Sequence, residues 1–146
     1  MKIGRIILGF IIIFAVVLLA GCDLEPKEQL LSCKANSEGV DVIFNVTFQS
    51  KKVTKMNLVY EMSLAELEDD RIEAAKSEDY CKIVKESLSQ YESAFKNCSQ
   101  DISNKKLTVK SDLDIDKMDK SQSTDFGTIE NAKKGLESVG YTCTIE

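Results

Sequence analysis

Five cysteines are the residues of this 146-residue chain with the clearest chemical potential. The first closes the stretch Leu19-Ala20-Gly21-Cys22, which follows a basic start and an uncharged apolar run from Ile6 to Ala20. A basic start, a short apolar core and small residues before a cleavage point are typical of a secretory signal. The run is shorter than the roughly 20 residues of a membrane-spanning helix. We therefore predict a cleavable signal peptide over residues 1–21.

The end of this segment also resembles the bacterial lipobox, in which a diacylglyceryl group is added to the cysteine thiol and the signal is cut just before it. The resemblance implies that Cys22 becomes a lipidated first residue. Two acyl chains hold a protein firmly on a membrane. We expect a palmitate-type anchor at Cys22 and a location on the extracytoplasmic face of the cell membrane.

The other four cysteines lie in distant segments, and none forms a C-x-x-C pair. Because the chain has no histidine, a zinc site would need all four thiolates. An even number in an exported domain favours two disulfides instead. Three pairings are possible, and the sequence does not choose among them. We favour Cys33 with Cys143 and Cys81 with Cys98; the second pair requires the intervening helix to end near Tyr91, since bridged α-carbons lie within about 7 Å.

Three aspartates at alternate positions, Asp112, Asp114 and Asp116, would project together from a strand. Carboxylate oxygens at such spacing suit calcium. A helix–loop–helix calcium loop would need glycine and glutamate where Lys117 and Ser123 stand, so that motif is excluded. A solvated outer face that discourages edge pairing is the simpler interpretation. We predict no cofactor and keep these aspartates as a weak metal candidate.

Catalytic motifs find little support in the sequence. The absence of histidine excludes Ser-His-Asp and Cys-His arrangements, and no glycine-rich phosphate loop is present. Serine and lysine are so common in this chain that their occurrence together does not indicate a catalytic serine–lysine pair. A second acidic run, from Glu66 to Asp70, is interpreted as the exposed first turn of a helix. We therefore predict that the protein is not an enzyme.

Removal of the signal leaves 125 residues, the size of one domain. We assign residues 22–29 to a lipidated tether and residues 30–146 to a single domain. Residues 22–146 together hold 17 basic and 24 acidic residues, a net charge of −7. The balance argues against nucleic acid or an anionic lipid surface as a partner. Lysine pairs such as Lys51-Lys52 are interpreted as solvated surface.

Three strand patterns open the domain. Apolar residues alternate with polar ones between turns at Ser37-Glu38-Gly39 and Ser50-Lys51-Lys52, which predicts an antiparallel meander with one buried face. The inward positions are Leu31, Cys33, Ala35, Val42, Phe44, Val46, Phe48, Met56, Leu58, Tyr60 and Met62.

Helical spacing follows the meander. Ser63 with Glu66 three residues later is a capping-box pattern and predicts a helix start. One unbroken helix from there to Tyr91 would exceed roughly 40 Å, too long for a domain with a radius of gyration of about 14 Å. We predict a break near residues 77–79, with Ser77 as a second cap.

The last third of the chain predicts a hairpin, a helix and a short strand. The hairpin strands, about residues 98–102 and 106–115, flank a turn at 103–105. Thr128 caps the helix, and Gly140 ends it. The inner stripe of this helix is predicted to be Ile129, Ala132, Leu136 and Val139, while Phe126 and Tyr141 fall outside the periodic faces and are available to solvent.

These patterns define an α+β fold: an antiparallel sheet, built from a three-strand meander, a helix, a hairpin, a helix and a short final strand, with helices on one face and two disulfides. The chain is similar to the YehR-like family of small bacterial lipoproteins. The similarity lies in the lipobox, in Gln49-Ser50-Lys51-Lys52-Val53, and in Asn131-Ala132-Lys133-Lys134-Gly135 with Val139-Gly140-Tyr141. The family implies an α+β lipoprotein fold and supplies no catalytic or ligand residue. This chain departs from the enterobacterial members in its four extra cysteines.

The favoured function is that of a lipid-anchored extracytoplasmic protein that binds a ligand or supports an envelope assembly without catalysis. Its partners would be the membrane, through the anchor, and an unknown protein or small molecule at the cell surface. Two alternatives stay open: a thiol or metal protein that uses the four cysteines, and a hydrolase without histidine.

Overall fold

The computed structural model describes residues 27–118 and 127–146. The predicted signal peptide, Cys22, most of the tether and Phe126 lie outside these residues. The described part has six strands and three α-helices: β1 (Glu28–Ser37), β2 (Val40–Gln49), β3 (Lys52–Ser63), α1 (Asp69–Lys76), α2 (Tyr80–Ser87), β4 (Phe95–Ser103), β5 (Lys106–Leu113), α3 (Ile129–Glu137) and β6 (Thr142–Ile145). Short 3₁₀ turns cover Ser89–Ala94 and Ile115–Lys117.

The strands form one sheet in the order β4-β5-β3-β2-β1-β6, and every neighbouring pair is antiparallel. The first three strands form the predicted meander, and β4–β5 is the predicted hairpin. Asn104 and Lys105, at the hairpin turn, both have positive φ (50° and 55°), the geometry that matches the twist of a tight hairpin. The predicted α+β fold is confirmed.

Alternation along the strands places one face of the sheet in the core. Residues 40, 42, 44, 46 and 48 of β2 are all buried, while the residues between them are half-buried. The helical layer packs on this inner face, where Leu88 and Tyr91 line the same crevice as Phe44 and Tyr60. Tyr141 also lines this crevice and is 8% exposed, so its predicted availability to solvent is wrong.

The first helix begins later than the capping box predicts. Ser63 is the last residue of β3, opposite Lys106 of β5, and the Leu64 amide donates to the Lys105 carbonyl at 2.7 Å. These sheet hydrogen bonds hold the chain extended as far as Leu64, a turn closed by the Leu67 amide and the Leu64 carbonyl follows, and α1 begins at Asp69. The predicted capping box is therefore wrong.

The predicted break in the helical region is present between α1 and α2, but its cap differs. The Asp79 carboxylate accepts from the Lys82 amide at 2.9 Å and caps α2. Ser77 instead ends α1, where its hydroxyl donates to the Ala74 carbonyl at 2.7 Å. The break is confirmed, and Ser77 as the second cap is wrong.

The last helix begins as predicted, because the Thr128 hydroxyl accepts from the Asn131 amide at 3.2 Å. Its inner stripe is shorter than predicted: Val139 is 41% exposed. The helix ends at Glu137, and Gly140, with a φ of 101°, redirects the chain into β6. Val139 therefore lies beyond the last helical turn.

Both favoured disulfides are present. Cys33 on β1 bridges Cys143 on β6, with α-carbons 4.1 Å apart, and Cys81 on α2 bridges Cys98 on β4, with α-carbons 5.8 Å apart. The condition for the second bridge is met because α2 ends at Ser87 and the chain turns back. Within residues 27–118 and 127–146, no helix is long and apolar enough to cross a membrane.

Candidate binding groove

The outer face of the sheet carries a row of polar residues that crosses all six strands. Each member lies opposite the next in the strand register. At its centre the Asn45 amide donates to the Asn57 side-chain oxygen at 2.9 Å, and both side chains are half-buried. From β4 to β6 the row is Lys96, Asp112, Asn57, Asn45, Ser32 and Thr144.

A groove of about 540 Å³ opens where this row meets the ends of β3 and β5. We call it the polar groove; residues of its lining include Asn45, Lys55, Asn57, Lys96 and Asp112. Its volume falls in the range of about 300–1,000 Å³ typical of small-molecule sites. Most of these side chains come from strands, which hold them more rigidly than loops would.

Two irregularities in strand pairing flank the polar groove. In β3, Thr54 is an extra residue between Val53 and Lys55, and its hydroxyl donates to the Thr47 carbonyl at 3.3 Å. In β4, the register shifts between Lys96 and Ser99, next to a positive φ of 52° at Asn97. Bulges bend a strand and redirect its side chains. The groove therefore forms where two pairings are interrupted, that of β3 with β2 and that of β4 with β5.

Charges of both signs line the polar groove. Lys96 pairs with Asp114 at 3.9 Å, and the Asn97 amide donates to Asp112 at 3.3 Å. Lys52 and Lys55 are exposed, and neither forms an ion pair within the described ranges. The groove thus offers unpaired ammonium groups on β3 near carboxylates that are already held in place.

The aspartates of the predicted metal candidate do not share a strand face. β5 ends at Leu113, and the Asp114 carboxylate accepts from the Asp116 amide at 3.1 Å to cap the following 3₁₀ turn. The expected strand geometry is therefore wrong beyond Asp112, although all three aspartates line the polar groove. Among residues 27–118 and 127–146, no group of three histidine, cysteine or acidic side chains is placed to hold a metal ion.

The apolar crevice between the sheet and the helical layer is a part of the core. Burial raises the pKa of Tyr60 well above its ordinary value and raises that of Tyr141 to about 12. Tyr141 also raises the pKa of Tyr60 through their electrostatic interaction. Apart from the phenol of Tyr91, the other lining residues that the structure describes are apolar, so this described part of the crevice offers no ionised group at neutral pH.

The second acidic run lies away from the polar groove. Glu66 and Glu68 precede α1, and Asp69 begins it. Asp69 pairs with Lys105 at 3.2 Å, and its side chain is 90% exposed. The interpretation as an exposed helix start agrees with this position, although the helix begins at the end of the run.

Sequence reasoning did not single out most of the groove residues, among them Asn45 and Asn57. Asparagine is depleted in strands, so one asparagine on the outward side of each of two neighbouring strands could have indicated a functional position. That signal does not reveal the contact, because their meeting depends on the register between β2 and β3.

The fold is similar to the NMR structure of the YehR protein from E. coli, with a TM-score of 0.53 and 16% identity over 83% of this chain and 94% of that chain. It is also similar to the NMR structure of a protein from Streptococcus pneumoniae TIGR4, with a TM-score of 0.49 and 9% identity over 88% of this chain and 93% of that chain. No protein-family profile and no curated protein matches the sequence. The chain therefore has a YehR-like fold, and at this identity the similarity establishes the fold alone.

Proposed function

We propose that this protein is a lipoprotein, anchored through Cys22 on the extracytoplasmic face of the cell membrane, which binds a ligand without chemical change. The anchor is supported by the basic start, the short apolar run and the Leu-Ala-Gly-Cys end of residues 1–22. The YehR-like fold agrees with the resemblance of the sequence to the YehR-like family of small bacterial lipoproteins. Two disulfides agree with export to an oxidising compartment.

The observation that carries the binding role is the polar groove. Its volume of about 540 Å³ exceeds that of packing defects in a core. Lysines of β3 lie on one side and aspartates at the end of β5 on the other. Such a lining suits a ligand that carries both an anionic and a cationic group, as a short peptide or an amino-acid derivative does.

A binding role is favoured over the two alternatives. Catalysis by paired carboxylates requires two carboxylates that are free to reach the substrate, whereas Asp112 and Asp114 already contact Asn97 and Lys96. A thiol or metal function loses its support because the four cysteines are consumed in two bridges.

Photo-crosslinking in intact cells tests the binding role. A benzophenone amino acid replaces Lys55 in the groove or, as the matched control, Lys110, an exposed lysine on β5 outside the groove. We expect a reproducible adduct from position 55 that is absent from position 110. Asp112→Asn should reduce that adduct without lowering the amount of protein. Equal adducts from both positions, or none from either, would contradict the proposal.

If the ligand is a small molecule, the same site is tested in solution. The purified full chain is screened by thermal unfolding against amino acids, short peptides and soluble wall fragments. A ligand that stabilises the fold should lose its effect in Lys55→Glu and keep it in Lys110→Glu. A ligand that stabilises both variants equally binds elsewhere and counts against the groove.

A further inference from the structure

We propose that the end of the sheet at the β2–β3 turn faces anionic lipid headgroups when the protein is anchored. This end is marked by Lys51 and Lys52. The proposal rests on the lipid anchor of the proposed function and adds an orientation to it.

The strand register places the entry of the chain beside this turn. Glu28, the first residue of β1, lies opposite Gln49, and Gln49 lies opposite Lys52. Cys22 precedes Glu28 by six residues, and a chain of that length spans at most about 20 Å. A lipid on Cys22 therefore keeps the β2–β3 turn close to the bilayer, whatever conformation the tether takes.

The opposite end of the sheet must lie farther from the anchor. β2 has 10 residues, which extend about 30 Å at the usual rise of a strand. The β1–β2 turn at Glu38-Gly39 is at its far end, and Val40 lies opposite Met62 near the end of β3. Residues 64–70, which follow β3, begin at this far end as well.

The two ends differ in charge. The anchored end exposes four lysines, Lys27, Lys51, Lys52 and Lys55, beside the two acidic residues Glu28 and Glu146. The far end exposes five acidic residues, Glu38, Glu66, Glu68, Asp69 and Asp70, beside Lys105 and Lys106. An anionic membrane surface therefore favours the anchored end over the far end within about a Debye length.

The groove aspartates also lie toward the anchored end, and their negative charge reduces the excess of lysine there. Asp114 pairs with Lys96 and Asp112 accepts from Asn97, while Lys51 and Lys52 form no ion pair within the described ranges. The net charge of −7 for the exported part argues against attraction of the whole domain. The anchor supplies the affinity for the membrane, and the uneven charge sets the orientation.

The chain has no tryptophan, so a single introduced indole reports one position. The full lipidated chain carries either Lys51→Trp or Glu66→Trp and is placed in vesicles of equal parts phosphatidylglycerol and phosphatidylcholine. A lipid with a nitroxide on its headgroup serves as the quencher. We expect strong quenching of the indole at position 51 and little at position 66. Equal quenching, or stronger quenching at position 66, would overturn the orientation.

A charge reversal separates the electrostatic cause from the reach of the tether. In the Lys51→Trp background, Lys52→Glu should reduce the quenching, and the matched control Lys110→Glu should not. Unchanged quenching in Lys52→Glu would overturn the role of the lysines. Cosedimentation with the vesicles is measured in parallel: a chain that stays in the supernatant contradicts the anchor itself, which distinguishes that failure from a wrong orientation.

Discussion

Cys143 lies directly opposite Cys33 across the β1–β6 pair, with 4.1 Å between the α-carbons. The backbones of Leu30 and Glu146 exchange two hydrogen bonds of 2.9 Å. Hydrogen-bonded and non-hydrogen-bonded pairs alternate along an antiparallel ladder. Because the cysteines are three positions from the hydrogen-bonded pair Leu30–Glu146, they form a non-hydrogen-bonded pair, where the strands approach most closely. The bridge therefore fastens β6, a strand of only four residues, to the strand that opens the domain.

Loss of this bridge should destabilise the protein more than loss of the other. The two bridges span separations of 110 and 17 residues, and loop entropy predicts contributions of about 5 and about 3 kcal/mol. Urea unfolding of Cys33→Ala with Cys143→Ala should therefore show the lower free energy of unfolding. The matched comparison is Cys81→Ala with Cys98→Ala, and a larger loss in that variant would contradict the loop argument.

Gln100 should be important for the attachment of α2 to β4. Its side-chain oxygen accepts from the Tyr80 amide at 2.8 Å and the Cys81 amide at 3.2 Å, and its nitrogen donates to the Glu78 carbonyl at 2.8 Å. Gln100→Ala should lower the free energy of unfolding by about 1–2 kcal/mol. Gln29→Ala, at an exposed strand position, is the control; an equal effect there would show that Gln100 is not special.

Tyr80 carries a buried hydroxyl that has no hydrogen-bond partner within the described part of the chain. A buried, unsatisfied polar group costs about 1–3 kcal/mol. Tyr80→Phe should therefore leave stability unchanged or raise it, while Tyr80→Ala should lower it by about 3–5 kcal/mol through the cavity left behind. A clear loss of stability in Tyr80→Phe, measured by urea unfolding, would show that the hydroxyl is satisfied.

Alkaline pH should unfold the protein through its tyrosines. Burial raises the pKa of all four, and that of Tyr141 reaches about 12. Because the folded pKa lies above the unfolded value of about 10, the contribution to stability is fully present below pH 10 and is lost as pH rises toward 12. Tyrosinate absorbance and circular dichroism should change together. Ionisation at the ordinary pKa with the fold retained would contradict the burial of these phenols.

The local features of the fold follow from the sequence. Alternation fixed the inner face of the first three strands, and the Thr128 cap and Gly140 marked the last helix. The favoured cysteine pairing is confirmed, and its condition, a return of the chain before Cys98, is met.

Contacts between distant segments decide what the sequence does not predict. The local sequence around Ser63 predicts a helix cap. In the structure Ser63 pairs with Lys106 of β5, and this sheet pairing overrides the local preference. The Asn45–Asn57 contact and the polar groove depend on strand register and on two bulges. The aspartates beyond Leu113 leave the strand because a 3₁₀ turn begins there, which a period-2 pattern does not reveal.

The most direct test of a lipid-anchored, disulfide-bonded domain is the intact mass of the protein from the membrane fraction, measured after free thiols are blocked without reducing agent. We predict a chain that begins at Cys22, carries the mass of a lipid adduct and takes up no thiol label. A chain that keeps residues 1–21 with an unmodified Cys22 would contradict the anchor. Label on Cys33, Cys81, Cys98 or Cys143 would contradict the bridges and direct attention to those sulfurs.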